Sequence, residues 1–297
     1  MKKIIIKIFI FIIILLVLDR VLFMGISVLY KKSDLTSLGK ILKKKYDIIY
    51  LGDSQSLHGI IPSIVKNESG LSGYNASMDG SGIVFAKGFE SIILSHYYPK
   101  AFVLQVMPLK EERGAISKLA PYFTNSEVRQ LISYYPISIR VRYSFFKSSC
   151  YNSLLLFIIK RLLIKHGSND GYRPLYGVKT GDSLVREEAK IAFKNGEYVL
   201  KAFIEKARKN HIEVIIIKMP TLEQEKNYCY DTYSDFAKIY NIPLIDFSVK
   251  DNKHMRWAKE YFYDDYHLNN KGATAFSLVL GEEINTLRKN NKMTCPQ

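Results

Sequence analysis

Five short runs of β-branched and aromatic residues, set between longer helical stretches, constrain the fold of this chain most. They are Tyr46–Leu51 (YDIIYL), Gly73–Ser77, Ala101–Val106 (AFVLQV), His211–Ile217 and Ile242–Phe247 (IPLIDF). Strands that alternate with helices in this way build a parallel sheet covered on both faces, a three-layer α/β/α architecture. Helices are expected over Ser56–Asn67, with Gly59 and Pro62 breaking its start, and over Val84–Tyr97, Asp182–Asn210 and Asp231–Tyr240. Residues 33–297 then suit one domain rather than two. Hydrophobic residues make up 47% of the chain, enough for a full core. Residues 109–181 read as an insertion that the minimal alternation does not need. It includes a basic apolar run, Leu154–Ile164, too short to span a bilayer and suited either to burial against the domain or to the membrane interface.

The first run leads into Gly52-Asp53-Ser54-Gln55-Ser56, which places Ser54 at the carboxyl end of a buried strand. In open α/β sheets the ligand crevice lies there. Serine is a weak nucleophile until a base and a group that orients the base come within reach. Near the other end of the chain, Asp264-Asp265-Tyr266-His267 supplies both from one short turn, and the three-residue spacing favours Asp264 over Asp265 as the orienter. Either motif alone describes an ordinary turn, and Asp53 suits a turn-former whose side chain bonds the backbone beyond it. Their order and their places in the strand pattern make the pair informative. Ser56 does not sit in Gly-x-Ser-x-Gly, so the nucleophile elbow of the α/β-hydrolases is not matched. His58 suits a surface or core role, with the cleft as the alternative. His96, His166, His211 and His254 have no chemical partner nearby in sequence.

These residues resemble the SGNH or GDSL hydrolase superfamily, with its Gly-Asp-Ser block near the N-terminus and its Asp-x-x-His near the C-terminus. Ser54, Asp264 and His267 match residue by residue, and Asn269 and Gly272 match the run that opens the last helix in that family. The resemblance implies a flavodoxin-like strand order 2-1-3-4-5 and an oxyanion hole formed by the backbone N–H groups of Ser54 and a glycine. In Asn75-Ala-Ser-Met-Asp-Gly80-Ser-Gly82 that glycine is Gly80, with Gly82 as the alternative. The usual Gly-x-Asn-Asp block after the third strand is absent, and Leu104-Gln105-Val106-Met107-Pro108 stands in its place. Membrane-anchored members that transfer acyl groups to polysaccharides often lack that Asn. The resemblance therefore points to serine-dependent O-acyl (acetyl) transfer to, or removal from, an extracytoplasmic polysaccharide. A multispanning membrane-bound O-acyltransferase is the expected partner. No cofactor or metal is implied. A lipid or small-ester hydrolase and a non-catalytic subunit of a polysaccharide export or modification machine are the other readings.

The N-terminus bears on location. Met1-Lys2-Lys3 precedes Ile4–Leu18, apolar except for Lys7, and Asp19-Arg20 then interrupts before a second apolar stretch, Val21–Leu29. A helix that continues through the Asp-Arg pair is long enough to cross a bilayer, whereas one that stops at Leu18 is short of the ~20 residues required. A signal peptide is the rival, but no Ala-x-Ala cleavage site follows. The expectation is an uncleaved single-pass anchor over residues 1–32, with the catalytic domain outside by the positive-inside rule. Lys31 and Lys32 weaken that charge asymmetry. The formal net charge of +15 suits solvated lysines, lipid headgroups or an anionic glycan. Nucleic acid is not expected, since no zinc-finger spacing, helix-turn-helix signature or RNA-binding aromatic block is present. Cys150, Cys229 and Cys295 are too few and too far apart for a metal site and are expected to be dispensable.

Overall fold

The computed structural model describes residues 2–32, 37–107, 109, 113–134, 137–151, 169–178, 196–222, 229–248 and 257–290. In chain order these form α1 (Lys2–Lys32), α2 (Ser37–Lys44), β1 (Ile48–Leu51), α3 (Ser54–Gly59), α4 (Pro62–Ser69), β2 (Gly73–Asn75), α5 (Ile83–Leu94) and β3 (Ala101–Gln105). There follow α6 (Arg113–Leu119), α7 (Ser126–Ile132), α8 (Ile137–Phe145), α9 (Gly196–Lys209), β4 (Glu213–Lys218), α10 (Tyr230–Ile239), β5 (Leu244–Asp246) and α11 (Asn270–Lys289). All five expected strands are present. They pair in parallel in the order β2-β1-β3-β4-β5, as the flavodoxin-like expectation requires.

Side-chain alternation explains the layers. Ile49, Leu51, Phe102, Leu104, Val214 and Ile216 point to one face and join a core with α5, α9 and α10. Their neighbours Ile48, Tyr50, Ala101, Val103, Ile215 and Ile217 point to the other, against α4 and α11. Successive residues of a strand face opposite ways, so strands buried on both faces read as continuous apolar runs. One expected helix is divided: α3 starts at Ser54 itself and ends at Gly59, and Pro62 starts α4 at a position where its missing N–H has no cost. The helix expected from Asp182 is described from Gly196 onward. The Leu154–Ile164 run, His166, His254 and Cys295 lie outside the described residues. Among the described residues Cys150 and Cys229 are not joined in a disulfide, and Cys229 Sγ accepts from Leu109 N at 3.2 Å.

Helix α1 runs unbroken through Asp19 and Arg20. The pair does not interrupt the helix because it is docked. Asp19 accepts from Lys147 N at 2.8 Å and from Ser148 N at 3.0 Å, and Arg20 donates to Phe145 O at 3.1 Å. Tyr30 is buried nearby, 5.5 Å from the Tyr151 ring and 5.8 Å from the Tyr122 ring. The other half of the helix, including Ile4, Phe9, Phe11 and Leu18, is exposed. The expected bilayer-crossing helix needs correction here: among the described residues no helix is long and apolar enough to cross a membrane. Lys7 and the Asp19-Arg20 pair leave Ile8–Leu18 as the longest uninterrupted apolar run. That is about 16 Å of helix, against a hydrocarbon core of ~30 Å.

Candidate active site

The carboxyl end of β1 sets Ser54, the candidate nucleophile. Asp53 caps α3, accepting from Gln55 N at 2.9 Å. Its place as a turn-former follows from that bond. Ser54 occupies the first helical position, where its N–H has no intrahelical acceptor and points outward at the positive end of the turn. Gln105, buried at the end of β3, braces this turn. Its Oε1 accepts from Asp53 N at 3.1 Å and Ser56 N at 3.2 Å, while its Nε2 donates to Asp53 Oδ1 and Gln55 Oε1, both at 2.9 Å. Gly52 leaves the space this needs, since a Cβ there would lie 2.4 Å from Gln105 Oε1. All four hydrogen-bonding positions of the amide are used. Gln105 thus stands where the sequence lacks the family's Asn block, but it supplies no third oxyanion donor. Ser56 is also occupied, accepting from the Ser77 hydroxyl at 2.9 Å inside the domain.

The turn before α11 brings the other two residues to Ser54. Phe262 and Leu268 bridge antiparallel, and Tyr263 N donates to His267 O at 2.8 Å, closing a loop that presents residues 264–267. Asn269 caps α11 through Gly272 N at 3.0 Å and ties the loop down through Glu260 O at 2.8 Å. At Gly272 a Cβ would lie 2.0 Å from Tyr261 O, so only glycine fits this close approach. His267 Nε2 lies 2.8 Å from Ser54 Oγ, and His267 Nδ1 lies 2.9 and 3.0 Å from the two Asp264 oxygens. With Nδ1 donating to the carboxylate, Nε2 is the free acceptor for the serine proton. Burial opposes charge on Asp264, but hydrogen bonds from Tyr266 N and His267 N, with the adjacent imidazole, hold its carboxyl below the ordinary value. Asp265 accepts only a backbone bond from Leu222 N, through its carbonyl at 2.9 Å, among the contacts described.

The loop after β2 is bonded to Gly52, two residues before Ser54. Met78 N donates to Gly52 O at 3.1 Å, and the Ser81 hydroxyl donates to the same carbonyl at 2.8 Å. Gly80 has φ +61°, and a Cβ on it would meet nothing within 4 Å. Its constraint is therefore the left-handed backbone and not space. Gly82, the N-cap of α5, is extended at φ −151°. The loop's far end is firm because α5 is buried along its whole length, Lys87 and Glu90 included.

The sequence offered the cleft only as the alternative place for His58, and the structure puts that residue beside His267. His58 stands edge-on to His267 with ring centroids 5.7 Å apart. Its Nδ1 is 2.7 Å from Arg173 O and its Nε2 is 3.4 Å from Asp79 Oδ1. Arg173 belongs to the returning end of the insertion, residues 169–178, which crosses α3 and the start of α11 through Arg173 N to Leu57 O at 3.2 Å and Asn270 N to Leu175 O at 2.7 Å. The four-residue step from Ser54 to His58 on one helix was the only signal in the sequence.

A protein-family model matches residues 111–289. A search of the curated proteins finds no match. Among solved structures, the chain is similar to one described as a lipolytic protein of the G-D-S-L family from Desulfitobacterium hafniense, at 12% identity and TM-score 0.42, over 80% of this chain and 98% of that one. It is also similar to a GDSL-like lipase from Bacteroides thetaiotaomicron, at 12% identity and TM-score 0.39, over 82% and 90% of the two chains. A third is the psychrotrophic esterase EstA from a Pseudoalteromonas species, at 12% identity and TM-score 0.39, over 82% and 98%. Likenesses so slight say nothing of substrate or residue roles. Sheet order, the place of Ser54 and the Asp264-x-x-His267 turn before the last helix are this chain's own features, and they agree with what the resemblance to the SGNH/GDSL hydrolase superfamily implies.

Proposed function

We propose that the chain carries out serine-dependent acyl-ester chemistry. His267 takes the Ser54 proton as Ser54 attacks an ester carbonyl, Asp264 stabilises the resulting imidazolium, and the N–H groups of Ser54 and Gly80 receive the oxyanion. His267 then returns the proton to the departing alcohol. Water or a sugar hydroxyl resolves the acyl-enzyme by the reverse sequence. The observation that carries this reading is the 2.8 Å contact between Ser54 Oγ and His267 Nε2, with Asp264 on the opposite nitrogen.

The finer proposal is O-acyl (acetyl) transfer to or removal from an extracytoplasmic polysaccharide, with a multispanning membrane-bound O-acyltransferase as acyl supplier. Support comes from the missing Asn block and from the apolar half of α1. We place the domain on the extracytoplasmic face, held at the membrane by exposed Ile4–Leu18 together with the exposed stripe Ile137, Val141 and Phe145 of α8, which Arg20 ties to α1. That stripe also favours a second reading, hydrolysis of a lipid ester presented by the same membrane. The test is turnover of a chromogenic acetyl ester by the full-length chain, which Ser54→Ala is expected to abolish. Undiminished turnover in the variant would overturn the proposal.

A further inference from the structure

Groups from three elements, His58 of α3, Arg173 of the returning insertion and Lys118 of α6, converge on the turn that carries Gly80. Asp79, the residue before it, directs its carboxylate at His58 of α3, with Nε2 at 3.4 Å, and at Arg173 of the returning insertion, with Nη1 at 3.4 Å. Lys118 of α6 donates to the Asp79 carbonyl at 2.8 Å. From the turn before α11, the His267 ring faces His58 edge-on at 5.7 Å. Both nitrogens of His58 therefore look at acceptors, the Arg173 carbonyl and the Asp79 carboxylate, an arrangement that favours the doubly protonated ring.

We propose that His58 and Asp79 are positioning residues for the acyl-transfer step, forming a latch that holds the Asp79-Gly80 turn, left-handed at Gly80, against the nucleophile helix. The inference rests on the proposed role of Gly80 as oxyanion donor. Gly80 has no side chain to fix it, and a Cβ there would touch nothing. Its N–H direction depends on the residues flanking it. Ser81 fixes the C-terminal side through Gly52 O, 2.8 Å from its hydroxyl. The latch fixes the N-terminal side by joining it to the same helix that carries Ser54. Asp79 also supplies the negative charge that lets His58 stay protonated beside a ring that becomes cationic during the reaction. In line with this geometry, burial opposes charge on His58, but the Asp79 carboxylate and the Arg173 carbonyl raise its proton affinity above the ordinary value.

The latch opens when His58 loses its proton, so the step slows at alkaline pH. The test is kcat and KM against pH for the full-length protein on a soluble acetyl ester. Wild type is expected to lose kcat at near-constant KM as pH rises through the range in which His58 deprotonates. Asp79→Asn and His58→Gln are each expected to run about tenfold below wild type at neutral pH, less than the ~10²–10³ of deleting a donor, and to be flat across that alkaline range. Two variants at different positions guard against a failure to fold. A wild type without the alkaline loss, or variants that keep it, overturns the latch. Wild type that neither turns over ester nor accepts a fluorophosphonate at Ser54 overturns the proposed function, and the latch with it.

Discussion

One cleft holds two histidine–carboxylate pairs of different build, and the roles proposed for them follow that difference. In the turn before α11, Asp264 and His267 are three residues apart, the contact uses both carboxylate oxygens at 2.9 and 3.0 Å, and the far nitrogen faces Ser54. At the rim, His58 and Asp79 come from separate elements at 3.4 Å, the carboxylate is half exposed, and the far nitrogen faces a backbone carbonyl. Only the first ring has a nitrogen free to take a proton from a nucleophile. In the proposed reading the same two residue types give a base in one place and a latch in the other, according to what the second nitrogen meets.

The comparison predicts a ladder of effects. His267→Ala is expected to lower kcat on the order of a million-fold, and Asp264→Asn on the order of ten-thousand-fold, since the base outweighs its orienter. Equal losses for His267→Ala and His58→Gln in an ester assay would erase the distinction between the pairs. Next comes the oxyanion turn. Gly80→Val forces a β-branched residue into φ +61° and is expected to cost about a hundred- to thousand-fold in kcat. Gly82→Val, on extended backbone at φ −151°, has no such strain and should retain most activity. If the loss falls on Gly82→Val instead, the donor lies two residues on.

The smallest effect is thermodynamic. Hydrogen bonding from His58 holds the Asp79 carboxyl below its ordinary 3.8, so its stabilisation is present above that value and is lost as pH falls through the lower folded one. His58 is raised above 6.5, so its stabilisation is full below that value and is lost as pH rises through the higher folded one. The melting difference between wild type and Asp79→Asn should therefore be greatest between these limits. It should stay below about 1 kcal/mol, because the carboxylate is solvent-screened. A difference independent of pH would mean that the pair carries no linked charge.

Local chemistry explains what was legible in the sequence. The strands were readable because burial on both faces demands uninterrupted apolar runs, and Ser54, Asp264 and His267 because each lies in a motif with a fixed spacing. The latch was not, since His58, Asp79 and Arg173 meet only after the insertion returns across α3. Gln105 appeared merely as the residue where an Asn block was missing, because its bonds reach the β1–α3 turn 49 to 52 residues away. Asp19-Arg20 looked like a possible helix break for a similar reason: its partners, Ser144 to Ser148, lie more than 120 residues on.

The account rests on Ser54 being the one activated nucleophile, with Ser56 two residues away held in the hydrogen bond from Ser77. Mass spectrometry of the full-length chain after reaction with a fluorophosphonate tests this most directly. The account predicts a single phosphonyl adduct on Ser54, lost in Ser54→Ala and strongly slowed in His267→Ala. An adduct on Ser56, or labelling at Ser54 that proceeds at the wild-type rate without His267, would contradict it.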